Sequence, residues 1–171
     1  MAKLNLKSLN VVLFEPEIPQ NTGNIARTCA AVGANLHLIK PLGFSLRDRY
    51  LKRAGLDYWH LIEIYIYDSI SEFLARHEEE NLAFITKTAG KSYDTINFSG
   101  NLFLIFGKET AGIPQDILKQ YSEACYRIPM KNQTRSLNLS NAVAVVVYEA
   151  LRQNKFIGLC TSGEKSDNQN K

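Results

Sequence analysis

A chain of 171 residues with a 45% hydrophobic share and 22% charged residues has the makeup of one ordinary globular domain. No apolar run approaches the ~20 residues a membrane span needs, and the first residues lack the apolar core of a signal peptide, so a cytoplasmic protein is expected. The net charge of +3 is compatible with an acidic partner such as RNA, but an ordinary basic-leaning surface accounts for it equally well.

Leu9 to Phe14 reads as a buried strand, and Glu15-Pro-Glu-Ile-Pro19 breaks it into a loop. Asn21 to Val32 reads as a helix, with Asn21 as its N-cap and Gly33 suited to the left-handed position past its end. Asn35 to Ile39 is a second strand, so the chain opens as a parallel strand-helix-strand unit. Leu46 to Ala54 has the makings of a short charged helix. Ile62 to Tyr67 reads as a strand, Ser69 to Glu79 as a helix capped by Asp68 or Ser69, and Leu82 to Thr86 as a strand. Lys87 to Gly100 is polar and mixed, a loop with irregular pieces. Asn101 to Phe106 is another buried strand, and Pro114 fits the first turn of a short helix over Gln115 to Gln120. Ala124 to Ile128 is a strand ended by Pro129.

A last helix begins between Ser136 and Ser140. Leu139, Val143, Val146, Val147, Ala150 and Leu151 repeat along it at helical spacing and form one buried stripe. Ala144, Val145 and Tyr148 give it a second apolar side, which calls for a second partner such as another subunit. The residues from Thr161 on are polar without periodicity and are expected to be disordered. These elements predict one domain over residues 1–158 with a polar tail over 159–171. With about six strands and helices between them, the expected fold is α/β: a mostly parallel sheet with helices on both faces.

In such folds ligands sit beyond the C-terminal ends of the strands. Three loops stand there: Glu15 to Asn24, Gly107 to Gly112 and Pro129 to Ser136. The second is neither a phosphate loop nor a Gly-x-Gly-x-x-Gly dinucleotide turn. Arg27, close behind a helix N-terminus, suits a phosphate site; a surface salt bridge to Glu15 or Glu17 is the competing reading. Glu109 could bind a ligand amine or cap a local N–H. Cys29, Cys125 and Cys160 are widely spaced, and His37, His60 and His77 are scattered. Neither a disulfide nor a metal site is expected.

Together these loops resemble the SPOUT superfamily of S-adenosylmethionine-dependent RNA methyltransferases. The resemblance rests on Asn21-Thr-Gly-Asn-Ile-Ala-Arg27, on Phe106-Gly-Lys-Glu-Thr-Ala-Gly-Ile-Pro114, and on Arg127-Ile-Pro-Met130 continuing to Ser136-Leu-Asn-Leu-Ser-Asn-Ala-Val143. Arg53-Ala-Gly-Leu-Asp-Tyr58 supports it. The branch it is most similar to comprises the small enzymes that methylate the 2′-oxygen of the wobble cytidine or uridine of tRNA, leucine isoacceptors in particular.

The resemblance implies a C-terminal trefoil knot, against the usual topology of protein chains. It also implies a homodimer, a tRNA partner, and S-adenosyl-L-methionine as cofactor with S-adenosyl-L-homocysteine as product. By the family pattern Ile85, Gly107, Ile128, Ser136 and Leu137 hold the cofactor. Arg27 matches the arginine at the reacting ribose, with Arg135 and Tyr148 as further catalytic candidates. Asn21, Asn24, Arg27 and Arg135 are the candidates for binding RNA. Two rivals remain: a related methyltransferase acting on another tRNA or rRNA site, and a non-catalytic RNA-binding module of the same fold.

Overall fold

The first strand, β1 (Leu9–Phe14), is buried along its whole length in the computed structural model, which describes residues 8–46, 56–131 and 136–163. It can be so because both of its faces are apolar apart from Asn10, whose amide is hydrogen-bonded to Leu102 O and Asn101. Leu9, Val11 and Leu13 belong to one core cluster; Val12 and Phe14 belong to another on the opposite side. β1 lies inside a seven-stranded sheet with β2 (Asn35–Ile39), β3 (Ile64–Tyr67), β4 (Asn81–Ile85), β5 (Lys91–Ser92), β6 (Leu102–Phe106) and β7 (Cys125–Arg127). The order across the sheet is β3-β2-β1-β6-β4-β7-β5, and every pairing is parallel. β6 alternates as β1 does, Leu102, Leu104 and Phe106 facing one core, Phe103 and Ile105 the other.

Helices cover both faces. α1 (Pro19–Val32) and α4 (Leu139–Gln153) contribute to the first cluster through Ile25, Cys29, Val143 and Val147. α2 (Ile70–Arg76) and α3 (Gln115–Gln120) contribute to the second through Phe73, Ile117 and Leu118. The buried residues of α4 are the six of the expected stripe. Its other side leaves Val145 and Tyr148 exposed, at 37% and 49%, so that apolar strip has no cover among the described residues.

Several boundaries differ from the sequence reading, each for a local reason. α1 starts at Pro19, not after Asn21, because Pro19 is pre-set for the first helical position and Ile18 takes the cap place without a side-chain bond. α2 is shorter than expected, ending at Arg76, with the Ser69 hydroxyl accepting from the Glu72 N–H. The sheet has a seventh strand, β5, inside the stretch read as irregular; two residues, Lys91 and Ser92, are held there by β7. Leu56–Leu61 forms a 3-10 turn that the sequence did not announce. The expected helix over 46–54 lies almost wholly outside the described residues, as does most of the tail.

The second core holds a run of buried polar groups. Asn10 and His37 are nearly inaccessible. His37 Nε2 lies 3.2 Å from Asn10 Oδ1, which already accepts from Asn35 Nδ2, so Nε2 carries the proton. His37 Nδ1 then accepts from the Tyr67 hydroxyl, and His77 Nε2 lies 3.0 Å from that hydroxyl. Burial, with His77 nearby as a lesser cause, pushes the His37 imidazole down to about 3.

Candidate active site

A cavity of about 410 Å³ opens at the C-terminal ends of β4 and β6, beside the chain leaving β7 and the start of α4. That is the edge where a parallel sheet places its ligands, and the volume falls within the usual ~300–1,000 Å³ of small-molecule sites. Ile85, Ile128, Leu137 and Leu139 supply apolar wall; Thr86, Thr88, Ser136 and Asn138 supply polar groups. All five expected cofactor residues, Ile85, Gly107, Ile128, Ser136 and Leu137, line this one cavity. They come from three separate segments, gathered because β6 sits beside β4 and β4 beside β7.

The loop after β6 doubles back tightly. Gly112 N donates to Lys108 O at 2.9 Å, and Gly112 takes a left-handed φ of 71°. A Cβ on Gly107 would stand 2.2 Å from the Gly112 carbonyl carbon and 2.4 Å from Ile113 N. Gly107 is therefore required by the turn itself.

This loop is clasped to the loop after β1 by reciprocal carboxylates. Glu109 accepts from the backbone N–H groups of Glu17 (2.9 Å) and Ile18 (3.3 Å) and from Asn21 Nδ2 (2.8 Å). It thus caps the start of α1 from a position 92 residues away in sequence. In return Glu17 accepts from the Thr110 N–H and hydroxyl, both at 2.9 Å. Lys108 Nζ donates to Glu15 at 2.8 Å, and this hydrogen bond holds the ammonium above the usual lysine range. Asn138, the N-cap of α4, donates from Nδ2 to Asn21 Oδ1, while its own Oδ1 accepts from the Ser140 N–H and hydroxyl. All three strand-end loops are joined through Glu109, Asn21 and Asn138.

The remaining candidates are placed differently. Asn21 lines the cavity but is buried, with its amide spent on Glu109 and Asn138. Asn24 and Arg27 share an exposed face of α1, one turn apart, whereas Gly23 is buried. Arg27 makes no ion pair with Glu15 or Glu17, which are engaged by Lys108 and Thr110. Its guanidinium carbon lies 5.1 Å from the centre of the Tyr58 ring. Tyr148 is exposed on the outer side of α4. Arg135 lies outside the described residues. Arg27, Asn24 and Tyr148 are not part of the cavity wall.

Sequence reasoning missed Thr86, Thr88 and Asn138, although Thr86 and Thr88 directly follow a strand end and that position was a usable signal. It assigned Glu109 either to a ligand or to a local N–H; the carboxylate caps a distant helix instead. Tyr58 stood out only as the end of a supporting motif; its contact with Arg27 exists only in three dimensions. Among the described residues, no group of three or more His, Cys, Asp or Glu is gathered as for a metal ion, and no helix is long and apolar enough to cross a membrane.

A tRNA (cytidine(34)-2′-O)-methyltransferase of Geobacillus stearothermophilus, provisionally so named, is 52% identical over 155 residues, covering 89% of this chain and 99% of its own length. A solved structure concerned with 2′-OH methylation of C/U34 on tRNA is 42% identical at a TM-score of 0.83, covering 89% of this chain and 99% of that one. The SpoU methyltransferase AviRb of Streptomyces viridochromogenes, solved in complex with its cofactor AdoMet, is 25% identical at a TM-score of 0.73, over 86% of this chain and 58% of its own. Residues 8–148 match the SpoU rRNA Methylase family, and the chain belongs to it.

Proposed function

We propose that this protein transfers a methyl group from S-adenosyl-L-methionine to the ribose 2′-oxygen of the wobble cytidine or uridine of tRNA, leucine isoacceptors among them. The observation that carries the reading is the convergence of Ile85, Gly107, Ile128, Ser136 and Leu137 on one cavity at the strand ends. The residues fit the cofactor. Apolar walls suit a flat adenine, and the volume suits a molecule of that size. When bound, S-adenosylmethionine supplies the methyl group, already electrophilic on its sulfonium.

The chain must then bring the ribose 2′-oxygen into line and manage its proton. The Arg27 guanidinium offers N–H donors and no acceptor, so it is not the base. Its role is to orient and polarise the 2′-hydroxyl by donating hydrogen bonds, while an RNA phosphate held by the same guanidinium takes the proton. Arg135 serves the bound RNA, Tyr148 helps to organise the active site from the subunit interface, and Asn24 shares the exposed face of α1 with Arg27. Asn21 acts from beneath, by tying the three loops together.

We also propose a homodimer that buries the apolar strip of Val145 and Tyr148, with tRNA spanning both subunits in the cytoplasm. The resemblance to the SPOUT superfamily also leads us to propose a C-terminal trefoil knot, which an experimental chain trace from Arg127 to Leu139 tests.

The test of the reaction is transfer of labelled methyl from S-adenosylmethionine to bulk tRNA from cells lacking this protein, followed by mapping of the labelled nucleotide. Label on the 2′-oxygen of the wobble nucleotide is expected. Label elsewhere would keep the chemistry and discard the site, and no label despite cofactor binding would discard the enzyme. Arg27→Ala should abolish most turnover and Arg27→Lys should restore little, since Lys lacks the planar fork. Full turnover in Arg27→Ala would remove Arg27 from the reaction.

A further inference from the structure

We propose that Tyr58 is a positioning residue for Arg27, its ring holding the guanidinium in plane while leaving the N–H edges free for RNA. This rests on the role given to Arg27 above. The guanidinium carbon is 5.1 Å from the ring centre, inside the ~6 Å reach of a cation over an aromatic face. Tyr58 belongs to the 3-10 turn Leu56–Leu61, which packs against α1. The next residue, Trp59, is packed on the core cluster beneath α1 and α4. The turn is thereby anchored, and the Tyr58 ring it carries is half-buried.

The choice of an aromatic partner has a chemical consequence. A carboxylate facing Arg27 would take two of its N–H donors and cancel its charge. A ring face takes none of them, because the attraction is to the π cloud. Among the described residues no acidic group forms an ion pair with Arg27. The two nearest in sequence, Glu15 and Glu17, are committed to Lys108 and Thr110. The guanidinium is restrained in orientation and keeps its full charge and its donors, as the clamping of a phosphate and a ribose hydroxyl requires.

The experiment is steady-state methyl transfer to tRNA by the full-length protein with Tyr58→Phe, and then with the same phenylalanine carrying three and five ring fluorines. Fluorination keeps the ring shape and drains the π cloud, so folding is preserved. Tyr58→Phe should keep kcat within about twofold. kcat should then fall stepwise to a total of about 3- to 10-fold, with KM for S-adenosylmethionine unchanged. A merely structural ring would not track the fluorine count. Arg27→Ala is measured alongside. If it loses turnover while the fluorine series is flat, the role of Tyr58 is overturned alone. If it keeps full turnover, the reading of Arg27 fails and takes this one with it.

Discussion

Replacing Glu109 by Ala removes the carboxylate that clasps two loops. Two of its bonds are short and partly buried, to Glu17 N and Asn21 Nδ2. The third, to Ile18 N, is long and exposed, so water replaces it readily. Hydrogen bonds to a charged group contribute roughly 1.5–3 kcal/mol each, and an acidic group at a helix start adds roughly 0.3–1 kcal/mol. Solvent near the rim recovers part of this, which leaves a cost of about 2–4 kcal/mol. For a chain of this size that corresponds to a fall in Tm of about 5–15 °C, readable by circular dichroism. The same substitution frees the loop that lines the cavity, so calorimetry should show S-adenosylmethionine binding weakened by roughly tenfold or more. Glu109→Gln should recover part of both losses, because its one remaining acceptor satisfies one donor while its amide faces the other. A Tm lowered by less than about 2 °C with unchanged cofactor affinity would refute the clasp.

Gly107→Ala should cost roughly 2–4 kcal/mol and abolish cofactor binding in a titration, because its Cβ would meet backbone at 2.2 Å and force open the turn at Lys108 and Gly112. His37 is predicted to make the fold acid-sensitive. Its folded value of about 3 lies below the ordinary 6.5, so the unfolded chain binds the extra proton between them. The contribution is fully present above about pH 6.5 and is lost at about 1.4 kcal/mol per pH unit as the pH falls towards 3. Urea midpoints measured from pH 7.5 to 5 check this, and a flat profile contradicts it. Val145→Asp places a charge in the exposed strip of α4 that the proposed dimer buries; analytical ultracentrifugation should find the unaltered protein dimeric and the variant monomeric, with the circular dichroism spectrum unchanged.

Much of this molecule was legible in its sequence because its strongest elements are stabilised by their own composition. β1 and β6 are apolar on both faces, Asn10 apart, so burial alone defines them. The stripe of α4 is spaced so regularly that its six buried residues could be named in advance. The elements that escaped are held by partners distant in sequence. β5 is Lys-Ser, with no intrinsic preference for a strand, and exists because β7 runs beside it. α1 begins two residues early because Pro19 opens it, and the residues just before it are held by Glu109 from the far loop. The salt bridge considered for Arg27 fails for the same reason, since Lys108 and Thr110 arrive from the far loop to occupy Glu15 and Glu17. The five residues expected to hold the cofactor were picked out by motif and not by any local propensity, because a cavity built from three chain segments has no periodicity to read.

The place of β6 in the sheet bears on how the protein is made. β6 pairs with β1 on one side and β4 on the other. During synthesis β1 and β4 emerge first, each with an open edge where β6 will lie. For that interval the growing chain carries two apolar strand edges able to pair with each other in the wrong register or with a neighbouring chain. The ligand cavity cannot form in that interval either, since β6, β7 and α4 all contribute to it. Ribosome-bound chains stalled before Leu102 should therefore be cut readily by protease and gain no protection from S-adenosylmethionine, whereas chains released after Gln153 should gain it. Slowing translation between β4 and β6 should prolong that interval and lower the yield, although that stretch contributes only the edge strand β5 to the sheet.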